Sequence, residues 1–163
     1  MTRALAFDPG PNLCAWAYLE GEGDRVRYLA HGRAASDPAR LAVVIAAHEA
    51  DLVAVEAMGG WQPAPGRFLD LQRTAVVAGM LVGLAHPKPT FTLPANAPGA
   101  LDSWRYRLTG VKRARDADVR RALLRALPDL PRSDEHVRDA AGLAVVALRV
   151  HPRLNLARAG NGG

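Results

Sequence analysis

The sequence predicts an α/β protein built on a mixed five-stranded sheet, three antiparallel strands followed by two parallel ones, with helices flanking it. Three observations carry this prediction. The first third of the chain reads as short apolar runs separated by turns, at residues 4–7, 14–19 and 26–30. From residue 38 onward, helical patterns alternate with further apolar runs at residues 52–55 and 89–93, the order of strand–helix–strand crossovers. The 163 residues are 49% apolar and 23% charged, which supports one domain with a sizeable core and excludes a disordered chain.

Taken in order, residues 4–7 form a short apolar strand ending at Asp8, and Pro9-Gly10 supplies a turn. Residues 14–19 form a second strand, in which Cys14 reads as a small core residue. A Gly-Glu-Gly-Asp turn follows, and residues 26–30 complete a meander. Ser36 or Asp37 caps the first helix, with Pro38 in its first turn and Leu41, Val44, Ile45 and His48 at helical spacing. Residues 52–55 are continuously apolar, as in a strand covered on both faces, and end at Glu56. Residues 58–66, rich in Gly and Pro, read as a loop. Residues 66–86 read as a buried helix, residues 89–93 as the fifth strand and residues 94–102 as a loop. Residues 115–127 form a helix closed by Pro128 and Pro131, and Ser133 or Asp134 caps a last helix to about residue 150. A single domain is expected over residues 1–158, with a flexible tail over residues 159–163.

No apolar run in the sequence approaches the ~20 residues of a membrane span, so no membrane partner is expected. The N-terminus lacks a basic stretch leading into a signal-peptide core, which predicts a cytoplasmic protein. One cysteine permits neither an internal disulfide nor a multi-cysteine zinc site. The net charge is +5, but residues 104–125 alone carry eight Lys and Arg against two Asp, so the rest of the chain is slightly acidic. Such a segment beside Trp104 and Tyr106 suits a phosphate backbone, or it forms a solvated helix face.

The chemistry lies in four residues. If residues 52–55 pair with residues 4–7, Asp8 and Glu56 emerge together at the carboxyl ends of two strands, where α/β sheets place their sites. His136 and Asp139, three apart, share a face of the last helix. Asp139 leads into a small-residue run that can pack close to a sheet, aiming the pair at the same edge. Three carboxylates and an imidazole favour Mg²⁺ or Mn²⁺ over structural zinc. Each residue also has a plainer role: Asp8 in a turn, Glu56 paired with an arginine, Asp139 answering a helix dipole, His136 as an exposed first-turn residue.

At these residues the sequence resembles the RuvC-type Holliday junction resolvases of the RNase H-like nuclease superfamily. The matching stretches are ALAFDPGPNLCAWAYLE, LVAVEAM and EHVRDAAGLAVVAL, in order, with a weaker match at TGVKRARDADVRRAL. The resemblance spans residues 4–151 and implies an RNase H-like fold from a bacterium or a bacteriophage. It carries catalytic and metal-ligating roles to Asp8, Glu56, His136 and Asp139, with two Mg²⁺ or Mn²⁺ ions per active site. It implies a homodimer that binds a four-way DNA junction and nicks two symmetric strands. Lys112, Arg113 and Arg115, with Arg105 and Arg107, would contact DNA, and Lys112 or Arg113 would stabilise developing charge. Family members wedge an aromatic from the loop after the Glu strand into the junction; Gly59 stands near the expected place, and Trp61 is the first aromatic, whereas Phe68 reads equally as helix core. A nuclease acting on flaps, forks or RNA ends would carry the same four residues, and a non-catalytic junction-binding protein would not need them. Phosphate-tail recognition of the sugar-kinase type needs two such domains, more than this chain supplies.

Overall fold

The computed structural model describes residues 1–58, 67–96 and 103–160, with side chains to residue 151. Three strands, Thr2–Asp8 (β1), Leu13–Glu22 (β2) and Arg25–Ala35 (β3), form the expected meander. Pro38–Ala47 (α1) then leads to Leu52–Ala57 (β4), and Phe68–Ala85 (α2) to Thr90–Pro94 (β5). Trp104–Thr109 (α3), Asp116–Ala126 (α4) and Glu135–Gly160 (α5) complete the chain. The sheet order is β3-β2-β1-β4-β5. β1 runs antiparallel to β2 and parallel to β4, and β5 lies parallel to β4 on its far side. The mixed five-stranded sheet predicted from the sequence is the one observed.

β1 lies at the centre, and its two-residue period divides the core. Leu5 and Phe7 face a cluster with Val53 and Val55, closed by Leu41 and Ile45 of α1 and Val77 and Leu81 of α2. Ala4 and Ala6 face the other way, into a cluster with Ala17, Ala54 and the α5 residues Ala140, Ala141, Ala144 and Ala147. The small side chains on this second face let α5 lie close along β1 and β2, with α3 and α4 packed around it. Asp37 caps α1, its Oδ1 accepting from Arg40 N–H at 3.0 Å. Asp134 caps α5, accepting from Val137 N–H at 3.1 Å.

Several expectations need correction. Helix α3 lies in a stretch the sequence pattern left unassigned, because six residues are under two turns and show no period. Helix α5 continues to Gly160 instead of stopping near residue 150, so only residues 161–163 of the expected tail fall outside the described structure. Helix α2 is not the buried helix its apolar run predicted. Val77, Leu81 and Ala85 are buried, but Phe68, Leu69 and Val76 are 59%, 65% and 70% exposed, because the helix covers one sheet face and no described residue covers its outer side. By length and composition α2 is also apolar enough to cross a membrane, contrary to the reading that no run approaches that length. The expected loops fall largely on residues 59–66 and 97–102, outside the described residues.

Candidate active site

The pairing of β1 with β4 sets the first two carboxylates side by side. Phe7 lies opposite Val55, so the next position on each strand carries Asp8 and Glu56. Beyond Asp8 the chain must turn sharply to return as β2, where Ala15 lies opposite Asp8. Gly10 makes that turn possible, since a Cβ there would stand 2.5 Å from the Leu13 carbonyl oxygen. Ser36 pins the turn: its hydroxyl donates to Gly10 O at 2.8 Å and its amide to Asn12 O at 2.9 Å. The strand edge at Asp8 is thereby held open.

Helix α5 brings the other two residues. Its cap Asp134 pairs with Arg33 of β3 at 2.9 Å, which fixes the helix start against the sheet. His136 and Asp139 then face the strand ends, as their spacing predicted. The exposed His136 Nδ1 stands 2.7 Å from Asp8 Oδ2, a contact that requires a proton between them. Asp139 lies deeper, with its side chain 10% exposed.

Helix α3 closes the site from the side. Trp104 is fully buried, and its indole N–H donates to Glu56 Oε2 at 2.9 Å. The ring lies close enough to α5 that a Cβ on Gly142 would stand 2.6 Å from it. The next residue, Arg105, spans two carboxylates: one Nη contacts Asp139 Oδ2 at 2.6 Å and the other contacts Asp116 Oδ1 at 3.0 Å. Ser103 caps the helix through Tyr106 N–H, and Gly110 ends it in the left-handed region with φ 72°.

Burial and crowding of like charge dominate the electrostatics. Burial, then the charges of Asp8 and Asp139, push the Glu56 carboxyl up to about 8 against the opposing Trp104 hydrogen bond and Arg105 charge. Burial pushes Asp139 up to about 6, with Arg105 opposing and Asp8 adding to the rise. Asp8 is raised by burial, with His136 acting the other way. Three acids that cannot comfortably ionise together are the arrangement a divalent cation relieves. Among the described residues, no three His, Cys, Asp or Glu side chains close around one point. Each acid is instead turned to a protein donor: Asp8 to His136, Glu56 to Trp104, Asp139 to Arg105. The oxygen-rich donor set and its mutual repulsion fit a hard divalent ion.

The residues expected on DNA divide into two groups. Lys112 and Arg113 stand exposed in the turn after α3, with Arg113 at φ 55°, and Arg115 is exposed just before α4. Arg107 is exposed on α3. Arg105 is turned inward, its side chain 13% exposed. Trp61 lies outside the described residues. Sequence reasoning missed the part of Trp104, which only its place beside a charged run had marked. It also missed Arg33, which lines a cleft of about 210 Å³ together with Asp8, Gly10 and His136; nothing in the β3 pattern sets that arginine apart.

A mixed sheet in this order, with acids at the ends of two adjacent parallel strands and a helix crossing them, defines the RNase H-like fold. Solved structures similar to this chain include Holliday junction resolvases. Thermus thermophilus RuvC in complex with Holliday junction substrate superposes with a TM-score of 0.73, 16% identity and coverage of 95% of this chain and 97% of that one. The fowlpox virus Holliday junction resolvase gives 0.56 and 13%, covering 90% and 97%. The yeast mitochondrial Holliday junction resolvase Ydc2 gives 0.56 and 10%, covering 98% and 82%. At these identities the likeness establishes the fold. No protein-family model and no curated protein sequence matches the chain.

Proposed function

We propose that the chain is a divalent-metal-dependent endonuclease that resolves four-way DNA junctions by paired symmetric nicks, working as a homodimer. The observation that carries this reading is the convergence of Asp8, Glu56 and Asp139 from β1, β4 and α5 on one open sheet edge, in the fold of the junction resolvases.

Asp8, Glu56 and Asp139 would hold two Mg²⁺ or Mn²⁺ ions. When bound, such ions activate a water and stabilise the leaving oxygen of a phosphodiester. The protein's own residues do the rest. The Gly10 turn keeps the edge clear for a strand of DNA. Trp104 orients Glu56 through its indole N–H. His136, exposed beside Asp8, either completes the ligand set or orients the attacking water. Lys112, Arg113, Arg115 and Arg107 offer exposed positive charge to phosphates, and Trp61 is the aromatic available as a junction wedge. The exposed apolar side of α2 supports the homodimer. Phe68, Leu69 and Val76 are exposed there, and Gly79 and Gly83 leave room for a second helix to approach closely.

The test is incubation of the pure protein with labelled four-way junction, replication fork and linear duplex, in Mg²⁺, Mn²⁺ or EDTA. The reading expects symmetric, metal-dependent nicks in the junction. Preferential cutting of forks or of RNA would replace the substrate and keep the chemistry. Binding without cutting in either metal would replace the enzyme with a junction-binding protein.

A further inference from the structure

Arg105 belongs to the most basic stretch of the chain, yet it points away from solvent. Its guanidinium bridges Asp139 at 2.6 Å and Asp116 at 3.0 Å, while its Nε–H is buried without a hydrogen-bond partner among the described residues. A permanent structural ion pair would be expected to satisfy that donor, because an unpaired buried N–H is costly. The guanidinium also lies within electrostatic reach of Asp8 and Glu56 as well as Asp139. It is thus a positive charge placed among the three acids assigned above to the divalent ions. Of its two partners, Asp139 is 10% exposed and belongs to that set, whereas Asp116 is 50% exposed and stands at the start of α4, outside it.

We propose that Arg105 is a tethered counter-cation: in the metal-free protein it occupies the cation position at Asp139, and when divalent ions load it withdraws toward Asp116 and leaves Asp139 free to ligate. The proposal rests on the metal-site reading above. It explains how the three acids stay together without metal, and why Asp139 is engaged by a guanidinium. Arg105 is accordingly a positioning residue that acts through Asp139. Its presence lowers the apparent metal affinity, because each loading event must displace the guanidinium from Asp139.

The experiment measures Mn²⁺ binding to the intact chain by electron paramagnetic resonance of the free ion, for the wild type, Arg105→Gln, Arg105→Lys and, as a site control, Asp8→Asn. Thermal unfolding in EDTA and in Mn²⁺ accompanies it. Arg105→Gln is expected to bind Mn²⁺ about 10-fold more tightly, to melt lower in EDTA, and to gain more from Mn²⁺ than the wild type does. Arg105→Lys, whose ammonium cannot bridge both acids, is expected to bind about 3-fold more tightly and covers the case in which the glutamine variant does not fold without metal. Unchanged or weaker Mn²⁺ binding in the folded variants, with Asp8→Asn abolishing it, overturns the counter-cation and leaves the metal site standing. Absence of Mn²⁺ binding in the wild type and variants overturns both.

Discussion

The basic stretch from Trp104 to Arg125 falls into two parts that resemble each other in sequence and differ in structure. In the first part, helix α3 carries Trp104 and Arg105 inward onto Glu56 and Asp139. In the second, Lys112, Arg113 and Arg115 stand exposed on the turn and at the start of α4. A run of positive charge is therefore not one surface. The difference lies in what each side chain finds: buried acids lie within reach of α3, and solvent faces the turn. In the proposed function the first part adjusts the carboxylates, and the second is left to meet phosphate.

Substitutions can break or sharpen that division. Within the basic stretch, the largest effect is expected from Lys112→Ala with Arg113→Ala. Junction affinity should fall at least 10-fold at ~0.1 M salt, and the slope of log affinity against log salt should flatten by ~0.9 per lost phosphate contact. Mn²⁺ binding should be unchanged. An unchanged slope in a filter-binding titration would remove these residues from the DNA path.

Trp104→Phe should do the reverse. It keeps most of the buried ring but removes the N–H on Glu56, so Glu56 should be still harder to ionise. Cleavage should fall roughly 10-fold at neutral pH, with the rising limb of the pH–rate profile displaced to higher pH and junction affinity within ~2-fold of wild type. A rate drop without displacement of the profile would show that the indole N–H does not set the ionisation of Glu56.

Smaller effects are expected in stability against pH. With Glu56 held at about 8 in the folded chain, above the ordinary 4.5, the native state binds more protons than the unfolded state between those values. The contribution of Glu56 is therefore present in full at acid pH and is lost as pH rises through about 8. Asp139, held at about 6 against 3.8, acts in the same sense over a lower range. Glu20 acts oppositely, because Arg3 and Arg27 hold it below its ordinary value and its share is lost on acidification. Melting temperatures in EDTA should fall from pH 6 to pH 8.5, and Mn²⁺ should restore most of the loss. A melting temperature that rises over that range would contradict the crowding of the acids.

The smallest effect is expected from Gly142→Ala, which forces the Trp104 ring to move because a Cβ would stand 2.6 Å from it. A loss of about 1–3 kcal/mol in urea denaturation is expected, with a modest fall in cleavage. Wild-type stability would mean that α3 shifts freely against α5.

The strands that carry Asp8 and Glu56 were legible in the sequence because both are short apolar runs ending in an acid, and burial demands that pattern. The pairing of β1 with β4 entered the sequence reading as a condition, and the structure meets it. His136 and Asp139 were legible through helical spacing ahead of a small-residue run that can pack close to a sheet. Helix α3 was not, because six residues are too few to show a period. The inward turn of Arg105 was hidden for another reason: a charge count records how many arginines a segment holds and says nothing of the acids that distant segments bring to meet one of them. The exposed side of α2 was likewise beyond pattern, since an apolar stripe reveals the face a helix wants covered and not whether the chain itself supplies the cover.

The central claim is that Asp8, Glu56 and Asp139 form a metal-dependent cutting site for branched DNA. The most direct measurement compares the wild type with Asp8→Asn on an end-labelled four-way junction in Mn²⁺, with a gel-shift assay of the same junction in EDTA. The account predicts paired symmetric nicks by the wild type, a loss of at least ~1,000-fold in the variant, and junction binding within about 3-fold for both. Cleavage by Asp8→Asn near the wild-type rate, or wild-type cleavage that persists in EDTA, would contradict it.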